Sequence, residues 1–258
     1  MVVPILLYHS IASDVARGYR PFAVSEAQLD TQLAALRSLG CTPVPLAALD
    51  GPLPPRSVVV TFDDGLADFA AALPILRRHD VPATLFVTAG YVGGEARWLA
   101  RLGEGGRRLL TWDELADVAA AGVEIGAHGQ THVALDTLPA RAARDEVERS
   151  KATIEDRLGV PVRWFAYPHG YYDTHVRALV RAAGFSGACA VKNALSSAAD
   201  DRYALARIPV VPDAERLDLA RLVTGRGVPV ARTAERVRTR LWRTARRSRA
   251  RLRERVQR

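Results

Sequence analysis

Two adjacent carboxylates, Asp63 and Asp64, stand where the run Val58-Val-Val-Thr-Phe-Asp-Asp-Gly65 stops being apolar. Three β-branched residues followed by Thr61 and Phe62 predict a buried strand, and the glycine lets the chain turn at its end. Paired acids at the open end of a strand repel one another unless a cation intervenes, and a metal ion is the usual remedy. Asp-Asp-Gly is also an ordinary turn sequence, so these three residues alone leave both readings open. A second segment, Val123-Glu-Ile-Gly-Ala-His-Gly-Gln-Thr-His132, shifts the balance towards metal. Its short apolar run predicts another strand, and His128 and His132 follow it at i and i+4, which one helical turn would bring to the same side. Two imidazoles and a carboxylate make a facial site with positions left for water and substrate, as catalytic zinc requires. Gly126 and Gly129 are expected to leave room for a substrate, and Gly129 separates this motif from the zinc-protease pattern, which needs Glu there.

Thr61-Phe-Asp-Asp-Gly65 together with His128-Gly-Gln-Thr-His132 resembles the polysaccharide deacetylases of the NodB-homology type, carbohydrate esterase family 4. Pro82-Ala-Thr-Leu-Phe-Val87, Leu110-Thr-Trp-Asp-Glu-Leu115 and Phe165-Ala-Tyr-Pro-His-Gly170 are similar to later family segments, the last to its third motif. Pro4-Ile-Leu-Leu-Tyr-His-Ser-Ile11 is similar to the opening of the branch that contains the poly-N-acetylglucosamine deacetylases. The likeness spans about residues 2 to 212.

The resemblance implies that Asp64, His128 and His132 hold a divalent metal, most often zinc, and that Asp63 is the general base. It implies an oxyanion donor at the backbone N–H of His169. Most members take their general acid from a late Leu-x-His motif; here Leu205-Ala-Arg207 stands in that region, and no His follows His175. In the permuted Tyr-His branch the acid comes from the N-terminal strand, a role that falls to His9. Many members also carry an Arg in the third motif that orients the base. Ala166 occupies that place, and Arg207 is expected to tune Asp63 instead. The implied reaction is removal of N-acetyl groups from a sugar, glycolipid or polysaccharide. Two alternatives are O-acetyl esterase or other non-peptide amide hydrolysis on the same metal site, and an inactive carbohydrate-binding relative. Trp98, Trp112, Trp164, Tyr171 and Tyr172 are candidates for stacking on sugar rings, though aromatics on such elements more often belong to the core.

To position these residues, strand-like runs at 2–8, 57–62, 84–88, 123–127, 163–166 and 186–191 alternate with helical patterns near 25–38, 67–79, 112–120, 139–158 and 173–183. Thr111 and Glu114 have capping-box spacing, and Pro139 opens the longest helix. Such alternation predicts an α/β fold with a parallel sheet closed or nearly closed into a barrel; the family likeness makes it a distorted (β/α)7 barrel. Cys41 and Cys189 share no metal spacing and are expected to be small buried hydrophobes. No signal-peptide pattern and no run of 18 apolar residues is present, so the chain is expected to be cytoplasmic.

The formal net charge of +8 is unevenly spread. Residues 228–258 hold twelve Arg and two Glu, a net +10, which leaves about −2 on the first 227. Two units are therefore expected, a catalytic domain over 1–227 and an Arg-rich helical tail over 228–258 with a narrow apolar stripe. The tail is expected to be solvated or to lie on an anionic membrane surface, at the inner face, where a lipid-linked sugar would be presented. Nucleic acid and packing against a partner protein are the lesser expectations.

Overall fold

The computed structural model describes residues 2–197, 200–231 and 242–248. Seven strands form the central sheet: β1 (Ile5–Tyr8), β2 (Ser57–Phe62), β3 (Ala83–Val87), β4 (Glu124–Ala127), β5 (Trp164–Ala166), β6 (Gly187–Cys189) and β7 (Ile208–Pro209). Their order is β6-β5-β4-β3-β2-β1-β7, every pair is parallel, and Thr42–Pro43 adds a short parallel strand beside β2. One segment touches both edges of this sheet: Leu205 bridges to Cys189 on β6, while Ile208 pairs with Leu6 on β1. The sheet therefore curls into the expected distorted barrel.

Helices α1 (Glu26–Ser38), α2 (Ala72–His79), α3 (Trp112–Ala120), α4 (Ala140–Leu158), α5 (Thr174–Ala182) and α6 (Arg216–Thr224) connect or flank the strands. The first five match the sequence reading closely, including the Thr111–Glu114 capping box. The helix expected over 67–79 is α-helical only from Ala72, with 3-10 turns before it. Pro74, which has no N–H to donate, fits the first turn of a helix but not its interior. The helix α6 was not expected; it is short and opens on a Glu215–Asp218 capping box.

Strand alternation divides the core in two. Ile5, Val59, Phe86, Trp164, Ala166, Cys189 and Leu205 fill the barrel, whereas Leu6, Val58, Val60, Leu85, Ile125 and Phe165 pack outward with the helices. Because side chains alternate, the positions that continue the inward set beyond the strand ends lie at the mouth of the barrel. His9 after Ile5 and Leu7, Asp63 after Val59 and Thr61, and His128 after Gly126 are such positions. Cys189 is fully buried, Cys41 partly so, and both are free thiols. Among the described residues no helix is long and apolar enough to cross a membrane.

Candidate active site

The strand β2 ends by donating the Asp63 N–H to the Tyr8 carbonyl at 3.0 Å, and Asp64 then turns back with φ of 79°. His132 (57°) and His169 (59°) are also left-handed, so three of the six non-glycine residues with positive φ among the described residues lie here. Such backbone is uncommon for side chains with a Cβ and persists only where the surroundings enforce it.

For the His128–His132 loop the enforcement is visible. The Glu146 carboxylate, on α4, accepts from Gln130 N (2.9 Å), Thr131 N (2.8 Å) and Thr131 Oγ1 (2.6 Å). His128 Nδ1 donates to the Ala166 carbonyl at 2.8 Å, which turns Nε2 towards the aspartates. Asp64 Oδ1 lies 3.1 Å from His132 Nε2 and 3.5 Å from His128 Nε2. One ligand atom from each of Asp64, His128 and His132 falls within 4.8 Å of the others, all three being buried. Asp64 Oδ1 nonetheless has no hydrogen-bond partner among the described residues. Two nitrogens and an oxygen that converge without satisfying one another fit a divalent cation of zinc type. Burial pushes the His128 imidazole down to about 4, against the pull of the Asp63 carboxylate, so it is neutral at neutral pH and free to ligate.

Asp63 faces a different partner. Arg207 NH1 and NH2 reach its two oxygens at 2.6 and 2.7 Å, a bidentate pair, and Arg207 Nε donates to the Ala190 carbonyl at 3.2 Å. The arginine is fully buried inside the barrel. Burial alone would raise the Asp63 carboxyl, but Arg207, with His128 and His9 nearby, holds it below the usual carboxylate range. His9 follows β1, whose Tyr8 pairs with Phe62, and so stands beside Asp63 at the barrel mouth. Asp68 anchors the segment just beyond it, accepting from Ser10 Oγ (2.5 Å) and Ile11 N (3.2 Å) and pairing with Arg107 at 2.8 Å. The His169 ring meets that of His132 edge to face at 4.6 Å.

Several residues depart from expectation. Gly126 does not make room for a substrate: a Cβ there would meet the Phe86 ring at 2.5 Å and the Trp164 carbonyl at 3.1 Å, so the glycine admits core side chains. Gly129 serves a turn, with φ of 77°. Trp164 is buried core, Tyr172 stacks on Tyr167, and Trp112 lies under Arg157. Trp98 stacks on His132, with centroids 4.5 Å apart and planes at 17°, so it backs a candidate ligand. Neither Trp98 nor Glu146 carried any spacing signal tying it to the histidines. The described part of the tail also departs from a freely solvated extension. Val230 bridges to Leu195, and residues 242–248 form a helix whose Arg243, Arg246 and Arg247 meet Asp136 and Asp173. The rest of the stripe expected from Val230 onward lies outside the described residues. The membrane reading gains no support from those three arginines.

Two acids and two imidazoles thus gather at the carboxyl ends of the strands, where parallel α/β barrels keep their chemistry. The sequence profile described as "Polysaccharide deacetylase" matches residues 50–188. The chain belongs to the polysaccharide deacetylase family and is a hydrolase acting on carbon–nitrogen bonds other than peptide bonds. It is 24% identical over 217 residues to YxkH of Bacillus subtilis (strain 168), covering 81% of this chain and 72% of that protein. It is 30% identical over 132 residues to the poly-beta-1,6-N-acetyl-D-glucosamine N-deacetylase of Escherichia coli (strain K12), covering 47% of this chain but 20% of that one. The solved structure of IcaB from Ammonifex degensii superposes with a TM-score of 0.75 at 26% identity, covering 86% of this chain and 97% of the other.

Proposed function

We propose that this protein removes N-acetyl groups from an N-acetylated glycan, with Asp64, His128 and His132 holding a divalent metal, zinc by its donor set. The observation that carries the reading is the convergence of those three buried ligand atoms within 4.8 Å, beside a fourth group, Asp63, that has its own cationic partner. A cation held there supplies Lewis acidity, polarising the acetyl carbonyl and making water easier to deprotonate.

The chain's own groups divide the remaining work. Asp63, kept ionised by Arg207, accepts the proton of the attacking water, a contribution typically of about 10² to 10⁴ in rate. The His169 backbone N–H donates to the oxygen on which negative charge develops; one such donor is typically worth about 2.7 to 4 kcal/mol. His9 gives a proton to the sugar nitrogen as the C–N bond breaks, leaving a free amine and acetate. His9 and Asp63 at neighbouring strand ends support this division, since acid and base must flank the same bond.

Metal analysis of the full chain, paired with acetate release from N-acetylglucosamine oligomers, tests the proposal. His132→Ala is expected to lose both metal and activity. Asp63→Asn is expected to keep its metal and lose about 10² to 10⁴ in turnover. Metal retained after both imidazoles are replaced, or no acetate from N-acetylated glycans, would reject the reading; acetate from O-acetylated sugars alone would replace it with an esterase.

A further inference from the structure

Four residues beyond His132 lies Asp136, and four residues beyond His169 lies Asp173. Each is reached by an arginine of the helix at 242–248. Arg246 makes a bidentate pair with Asp136, at 3.0 and 2.6 Å, and Arg243 Nε lies 3.6 Å from the same carboxylate. Arg247 spans the two loops, donating from Nε to the Asp136 carbonyl at 2.7 Å and from NH2 to the Asp173 carboxylate. The Asp136 side chain has no exposed surface, so its charge is tolerated only with these guanidinium groups in place. Arg246 also lies over the Tyr171 ring, 3.5 Å from its centroid. From Tyr171 a file of rings leads inward, 6.0 Å to His169 and 4.6 Å more to His132.

The geometry points to the C-terminal helix as a clasp that staples the His132 loop to the His169 loop, with Arg246 a positioning residue that fixes Tyr171 as one wall of the glycan groove. A guanidinium fork is well matched to this double role. It grips a carboxylate with two parallel bonds while its flat face lies on an aromatic ring, which an ammonium cannot do. Fixing Tyr171 before substrate arrives spares binding the entropy of ordering it. Arg246 reaches Asp136 and Tyr171 and acts through them, so its effect is expected first in KM for a long substrate. This inference rests on the deacetylase reading for its substrate, and on the contacts above for the clasp itself.

Full-length Arg246→Ala, Arg246→Lys and Arg247→Ala variants test it. Arg247, whose side chain is 42% exposed, leaves the buried Arg246–Asp136 pair intact and guards against misfolding of the first variant. For Arg246→Ala, KM for an N-acetylglucosamine pentamer is expected to rise about tenfold, with a fall in kcat several-fold smaller than that rise and zinc still bound. Arg246→Lys should behave like the alanine variant, because charge alone does not restore the stack. Amide hydrogen exchange over 130–137 and 167–173 should quicken at least tenfold in the Arg246→Ala and Arg247→Ala variants. KM unchanged within twofold, or kcat, KM and zinc deteriorating together, would overturn the groove role. Unchanged exchange in both loops would overturn the clasp, whatever the substrate proves to be. Absence of acetate release by the wild-type chain would instead overturn the function proposed above.

Discussion

Arg207 and Asp63 are separated by most of the chain, yet they form the tightest buried ion pair at the site. A carboxylate held this way accepts a proton reluctantly in the resting enzyme, so the acid limb of activity should lie low. Arg207→Met keeps the volume and removes the charge, leaving Asp63 buried without its counter-ion. Its carboxyl pKa should rise, and the acid limb of kcat/KM should move upward with it. Turnover at neutral pH should fall by about tenfold or more, with metal content little changed; a superimposable pH profile would show that Asp63 is tuned by something else. The residues proposed to do chemistry were legible because chemistry dictates their type and spacing, two acids at a strand end and two imidazoles four apart, although a left-handed turn at His132 and not a helical turn brings the imidazoles together. Arg207 was legible only as a cation in the right stretch, prompted by Ala166 in the third motif. Glu146 and Asp136 were not legible, and Trp98 was legible only as a candidate for stacking on sugar, since a helix glutamate and residues of short 3-10 turns acquire meaning only from what the fold lays against them.

At the scale of elements, the central strands announced themselves through β-branched runs, and the helices through capping and apolar periodicity. The strands that escaped notice are two residues long, at Ser10–Ile11, Ala23–Val24, Thr42–Pro43, Ser196–Ser197 and Ile208–Pro209. Two residues carry no alternation to detect, so their pairing is set by the neighbours they reach. Gly126 shows the same limit, for a glycine beside the metal loop reads as substrate clearance until Phe86 is seen to fill the space. Gly126→Ala should therefore behave as an overpacked core, costing about 1 to 3 kcal/mol of stability in urea denaturation. A variant as stable as the wild type, with weakened substrate binding, would restore the clearance reading.

For the whole molecule, acid should be the weak side. The His128 imidazole is held down to about 4, below its unfolded value of 6.5, so between these values the unfolded chain binds more protons than the folded one. Stability then falls as pH drops through that window, by on the order of 3 kcal/mol in the metal-free protein. Asp64, which burial alone would raise, is depressed by the imidazoles around it, His132 foremost, and it extends the loss below the usual carboxylate value of 3.8. Denaturant midpoints of the metal-stripped chain from pH 7 to pH 4 check this, and a flat series would contradict it. His128→Asn should flatten the slope. The barrel that houses these groups has a seam, the segment running from Leu205 to Pro209 that joins its two edges. Arg207 rides on that segment, so the bond proposed to keep the base charged also ties the closing segment to the end of β2. The proposed chemistry and the closure of the wall thus share one guanidinium, and a lineage that relaxes the first would leave the second to its backbone bonds alone.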